Sequence, residues 1–194
     1  VLDKSAGRVE QARRQIREQG HYGLASVERL SDPEHLPYTE NLVNQTIALN
    51  KHTPWPEIFR VLAPGGILVV SPARLSSTKK LTQAGFVSAH KASGNLIGTK
   101  PRPAAMDVWS HSRHGADGNA VAHGTGGPPR HMQFMAAPTW TRNHHKLASI
   151  SSVVSTAGRI FYIVDEAPAA SMNVPGKWFL VGRDAFNGVL LWKR

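Results

Sequence analysis

Arg60-Val61-Leu62-Ala63-Pro64-Gly65-Gly66, followed at once by Ile67-Leu68-Val69-Val70, is the stretch from which the fold of this chain is read. Pro64 has no backbone N–H, and its ring clashes with the preceding turn, so a helix cannot run through it. Gly65 and Gly66 tolerate a left-handed backbone at no steric cost. The apolar residues that follow are mostly β-branched, and such a run suits a strand covered on both faces. The stretch predicts a helix end, a breaker and then a buried strand over Ile67–Val70.

On either side of it, residues 1–100 alternate helix-like and strand-like segments, as a parallel α/β unit does. Ser5 suits a helix N-cap, and Val9, Ala12, Ile16 and Gln19 trace one helical face ending at Gly20. Leu24–Leu30 and Leu42–Leu49 read as strands, and Trp55–Leu62 as a short helix opened by Pro54 and Pro56. A helix around Leu75–Ala84 stops at Gly85. Phe86–His90 and Leu96–Thr99 then form a hairpin about Ala92-Ser93-Gly94-Asn95. Residues 101–149 hold many Pro, Gly and His residues with little periodicity and read as a connector. Residues 150–194 return to a β pattern. Its strands are Ser152–Ser155, Arg159–Val164, Phe179–Arg183 and Val189–Trp192, with turns at Ala157-Gly158 and Asn187-Gly188.

Bulk composition narrows the function. The 194 residues permit one or two small domains, and a hydrophobic content of 41% supports a packed core. A net charge of +10 raises nucleic acid as a partner. The 23 Lys and Arg residues are scattered in runs no longer than two, however, so the charge reads as a solvated surface and nucleic acid is not expected. The absence of Cys excludes disulfides, thiolate metal ligands and a Cys nucleophile. No apolar run approaches the roughly 20 residues of a membrane helix. Val1-Leu2-Asp3 reads as the middle of a strand, and the sequence is expected to be part of a longer protein.

The Arg60–Val70 stretch closely resembles the segment before the fifth strand of the class I S-adenosylmethionine-dependent methyltransferases. Other pieces follow that family's order. Val1-Leu2-Asp3-Lys4-Ser5 resembles its second strand, whose terminal acid accepts both ribose hydroxyls of the cofactor, a role the resemblance gives to Asp3. Asp32-Pro33-Glu34-His35-Leu36-Pro37-Tyr38 resembles the segment after the third strand, where Asp32 would accept from the adenine amino group. Val43-Asn44 stands where a Phe-Asp pair usually begins the fourth strand, and Leu81-Thr82-Gln83-Ala84-Gly85-Phe86 resembles the approach to the closing hairpin. The resemblance implies an incomplete Rossmann-like sheet over residues 1–100, with S-adenosylmethionine as cofactor. The family's glycine-rich first loop would precede Val1, so the chain alone is expected to be inactive. Ile47-Ala48-Leu49-Asn50 lacks the Asn-Pro-Pro-aromatic motif, which leaves the catalytic residues and the small-molecule or protein substrate unassigned.

The C-terminal string Gly182-Arg183-Asp184-Ala185-Phe186-Asn187-Gly188-Val189-Leu190-Leu191-Trp192 resembles the repeat of quinoprotein-type β-propellers. Asp184, Gly188 and Trp192 fall on its fixed positions, and Gly158–Ile163 resembles a preceding strand of the same repeat. The resemblance implies an all-β first blade over residues 150–194, with Trp192 docking between blades, since large aromatics staple neighbouring sheets. One blade cannot close a propeller. Some such propellers bind pyrroloquinoline quinone and others only scaffold; no calcium ligands or quinone-stacking Trp are assignable here.

The combination resembles large multidomain bacterial proteins. Three readings follow: a methyltransferase, a non-catalytic propeller scaffold with a degenerate methyltransferase domain, and a quinone-dependent dehydrogenase. An active methyltransferase implies the cytoplasm, and a dominant propeller the cell envelope. In the connector, His111 and His114 stand at i, i+3, and Asp117 or His123 would complete a metal site. Without Cys, a His-Glu-x-x-His frame or a helix signal, these histidines are expected to hydrogen-bond within loop packing, and no metal is expected. Gly127–His131 reads as a rigid turn, and Trp109 and Trp140 as packing against blade edges.

Overall fold

The computed structural model describes residues 1–49, 51–74, 76–125, 132–137, 150–167 and 174–194. It is a mixed α/β protein with two separate four-stranded sheets and a short two-stranded one. Strand β1 (Leu2–Asp3) pairs in parallel with β2 (Glu28–Arg29), and helix α1 (Ala6–Glu18) links them. Ser5 caps α1 as its sequence position suggests, its Oγ accepting from the Arg8 N–H at 3.4 Å. Val9 is the buried residue of α1, and Gly20 follows its end at φ +69°. The predicted strand Leu24–Leu30 shrinks to Glu28–Arg29, because the ladder is only as long as its partner Leu2–Asp3; Leu24 is exposed.

The second sheet has the order β3-β4-β6-β5, from β3 (Val43–Ala48), β4 (Leu62–Val70), β5 (Val87–Ala92) and β6 (Asn95–Thr99). β3 and β4 are parallel, while β6 and β5 close the sheet as an antiparallel hairpin. Ser93 and Gly94 both have positive φ, the requirement of a type I′ turn. Helix α2 (Trp55–Val61) feeds β4, and α3 (Thr78–Gln83) ends before Gly85 at φ +92°. Ile58, Leu62, Leu68, Val70, Leu81 and Phe86 form the heart of the core, with Phe59 edge-on to Phe86 at 5.3 Å.

Two expectations for the central stretch are corrected. The strand begins at Leu62, ahead of Pro64, and the Pro-Gly-Gly sequence forms a bulge within it: Val43 faces Leu62, but Gln45 already faces Ile67. Lys100 holds this bulge, its carbonyl accepting from the Gly65 N–H at 2.8 Å and its N–H donating to Gly66 O at 2.9 Å. Gly65 sits at φ +82°, and a Cβ on Gly66 would come within 2.7 Å of Ala63 O. The strand is also covered on one face only: Leu68 and Val70 are buried, whereas Ile67 is 43% exposed.

The Lys100 side chain is buried and closes the C-terminal end of α2. Its Nζ donates to Phe59 O and Leu62 O, each at 2.7 Å, and to Asn41 Oδ1 at 2.8 Å. These are among the carbonyls that a helix end leaves without intrahelical partners.

The third sheet is an antiparallel meander of β7 (Ile150–Thr156), β8 (Arg159–Asp165), β9 (Trp178–Asp184) and β10 (Leu190–Lys193). Ala157-Gly158 makes the predicted two-residue turn, both residues having positive φ. Asn187-Gly188 does not. Asp184 Oδ1 instead accepts from the N–H groups of Phe186 and Asn187, at 2.8 and 3.1 Å, and only Gly188 is left-handed. The side chain of Asp184 thus winds a longer loop. Trp192 lies over Gly182, tilted against Phe161 at 5.9 Å, and stays 37% exposed. Trp109 meets the edge of β7, its carbonyl accepting from the Ser155 N–H at 2.7 Å. Residues 101–125 and 132–137 contain no helix or strand beyond isolated bridges. The turn at Gly127–His131, Trp140, His144 and His145 lie outside the described residues. Among the described residues no helix is long and apolar enough to cross a membrane.

Candidate functional site

Asp3 ends β1, and its carbonyl accepts from the Leu30 N–H at 2.9 Å just past β2. The parallel register Leu2–Glu28 and Asp3–Arg29 brings Asp3 and the Asp32 segment off the same, carboxyl edge of this sheet. That edge is where ligands bind in open α/β sheets.

Asp3 is engaged locally. Its Oδ1 accepts from the Ser5 N–H at 2.7 Å and from Arg8 Nη2 at 2.8 Å, and its Oδ2 from Arg8 Nε at 2.9 Å. The Arg8 hydrogen bonds, then that of Ser5, hold its carboxyl below the ordinary range, so it is an anion. The Arg8 side chain is largely exposed, and water can replace its contacts.

Asp32 forms its own turn. Oδ1 accepts from the Glu34 N–H at 2.8 Å, and Oδ2 lies 3.0 Å from His35 Nδ1. The Glu34 N–H is the main cause that lowers its carboxyl, with His35 second. The chain beyond is fixed to α2 by an ion pair that sequence reading did not single out. Arg60 grips Glu57 through Nε at 2.8 Å and Nη2 at 2.6 Å, and its Nη2 also donates to Tyr38 O at 2.9 Å. Glu57 Oε1 in turn accepts from the Leu36 N–H at 2.6 Å. Glu57 and Arg60 therefore position the segment that carries Asp32.

A second constellation lies in the connector. His114 is buried, and its Nε2 stands 2.9 Å from Asp107 Oδ2. The same oxygen accepts from the His123 N–H at 2.6 Å, and the His123 ring meets that of His114 edge-to-face at 4.6 Å. The Trp109 ring also meets that of His114 edge-to-face, at 5.0 Å. The Asp107 carboxyl is pushed down to about 2, chiefly by His114 and next by the His123 N–H. His111 and Asp117 do not join: His111 bridges to the His114 backbone and pairs with Ser110 Oγ, and Asp117 accepts from the Asn119 N–H. Nothing in the sequence singled out Asp107, because an irregular segment offers no periodicity from which to infer which residues meet.

No family model matches the chain, and no curated protein matches it. Among solved structures the chain is similar to the [4+2]-cyclase SpnF, with 18% identity and a TM-score of 0.43 over 53% of this chain and 65% of that one. It is also similar to a structure described as a complex between the Haloferax volcanii Trm112 methyltransferase activator and the "putative methyltransferase", with 16% identity and a TM-score of 0.40 over 52% and 71% of the two chains. The chain thus spans just under two thirds of the length of SpnF.

Proposed function

We propose that residues 1–100 are a methyltransferase-like domain that holds S-adenosylmethionine at the carboxyl edge of β1 and β2. The observation that carries this reading is the parallel register that leaves Asp3 and the Asp32 segment on one sheet edge. In the bound state Arg8 swings into solvent, and Asp3 accepts from both ribose hydroxyls. A carboxylate suits a vicinal diol because it offers two acceptor oxygens. Asp32 accepts from the adenine amino group, with Glu57 and Arg60 fixing its segment. Residues 101–149 are the connector, and residues 150–194 form a blade of quinoprotein type. The four-strand meander and the seating of Trp192 over Gly182 support that last reading.

The second reading is a non-catalytic scaffold, and the Asp3–Arg8 ion pair favours it, because it already engages the oxygens the ribose needs. Saturation-transfer NMR, which registers weak ligands, separates the two. With S-adenosylmethionine and the intact chain, transfer to the ribose and adenine protons is expected, and it should fall sharply in Asp3→Ala and Asp32→Ala. Equal transfer in all three proteins, or none in any, would overturn the cofactor reading.

A further inference from the structure

We propose that Asp107, His114 and His123 form a binding site for a divalent transition-metal ion, zinc being the best fit. The inference is independent of the methyltransferase reading. The donor atoms of the three side chains all lie within 4.8 Å of one another. In a tetrahedral site with metal–ligand distances of about 2.0–2.1 Å, neighbouring donors stand about 3.3 Å apart. The pair Asp107 Oδ2 and His114 Nε2, at 2.9 Å, needs to open by only a few tenths of an ångström.

The arrangement goes beyond an Asp–His hydrogen bond. The hydrogen bond to the half-buried Asp107 is sufficient to satisfy the buried His114, yet a second imidazole, that of His123, is brought against it. The ring nitrogens of His123 have no hydrogen-bond partner among the described residues, so they are available as ligands. Asp107 is held by backbone donors that metal binding leaves intact, the N–H groups of Val108 at 2.7 Å and of His123 at 2.6 Å. Such outer contacts orient a ligating carboxylate. The proton now between Nε2 and Oδ2 would leave to solvent as the ion takes its place.

Two imidazoles and one carboxylate favour zinc or another borderline cation over calcium or magnesium, which prefer oxygen-only sets. Three protein ligands leave a position for water or an exogenous ligand, the mark of an open rather than a closed structural site. Asp107 also lines a cavity of about 290 Å³ between the connector and the β7–β8 turn, bordered by Arg102 and Arg159. A ligand reaching the open position from that side would be anionic.

The test is titration of the intact chain with Co²⁺, read by its visible ligand-field absorption, and with Zn²⁺ by calorimetry. One tight equivalent is expected, with the intense visible bands of a tetrahedral nitrogen-oxygen site. His123→Ala, exposed and therefore safe for folding, and Asp107→Asn should each weaken binding at least about tenfold, the lower end of the effect of losing even an outer-shell partner. His90→Ala, on β5, should bind as the parent does. Absence of a saturable equivalent, or affinity unchanged in both His123→Ala and Asp107→Asn, would overturn the proposal.

Discussion

Replacing Lys100 by Met tests how the α2–β4 junction is held. Methionine keeps most of the apolar stem but removes the ammonium, so Phe59 O and Leu62 O lose a donor at 2.7 Å and Asn41 Oδ1 one at 2.8 Å. A buried acceptor left without a partner costs about 1–3 kcal/mol. The two carbonyls together therefore set about 2–6 kcal/mol. Relief from the desolvation of a buried ammonium works in the opposite direction; that desolvation already pushes the Lys100 pKa below its ordinary value. With about 1–2 kcal/mol regained when a charge need not be buried, the net expectation is a loss of about 0–5 kcal/mol, centred near 2–3 kcal/mol. Urea denaturation followed by far-ultraviolet circular dichroism measures it as a lower midpoint at unchanged slope. A variant more stable than the parent would refute the capping role, because the orphaned carbonyls would then cost less than the ammonium's desolvation.

Glu57→Gln addresses pH. The Arg60 hydrogen bonds hold the Glu57 carboxyl below its ordinary 4.5, so its contribution is full above that value and lost as pH falls through the lower folded-state pKa. The variant should be less stable than the parent near neutrality, and the gap should close in acid; a gap independent of pH would contradict the pairing. Arg8→Ala frees the Asp3 oxygens, so saturation transfer to S-adenosylmethionine should rise or stay constant, and a fall would show that Arg8 assists binding. In Gly182→Ala the added methyl would come within 2.6 Å of the Trp192 indole. Trp192 must lift from the sheet, shifting the fluorescence to the red, and an unchanged spectrum would mean that β10 adjusts instead.

What was legible in the sequence was local chemistry. Ser5 and Gly85 bound helices as their caps require, and Ser93-Gly94 and Ala157-Gly158 turn their hairpins, because those positions need only their own backbone preferences. The Pro-Gly-Gly stretch was half legible. Its breaker chemistry is real, but whether it stands before the strand or bulges within it depends on Lys100, far along the chain. Asp3, the last residue of β1, and Asp32, shortly after β2, could be set relative to strands from sequence order alone. Asp107 could not, since its partners His114 and His123 meet it through an irregular backbone. The extra length of the Asp184 loop was hidden too: its side chain draws in the N–H groups of Phe186 and Asn187, which a local turn signal does not register.

Asn44 Nδ2 donates to Asp184 Oδ2 at 2.7 Å, and Asn187 Nδ2 donates to Leu42 O at 3.0 Å and to Asn44 Oδ1. These bonds join the start of β3 to the β9–β10 loop, but the main apolar cluster runs only from Ala48 to Leu96, while Val164 and Val181 are buried elsewhere. Hydrogen bonds of this kind contribute about 1 kcal/mol each, a weak link between the two sheets among the described residues. The proposed division of the chain therefore predicts a cooperative unit smaller than the chain. Calorimetry should resolve two melting transitions, and either sheet can open while the other remains native.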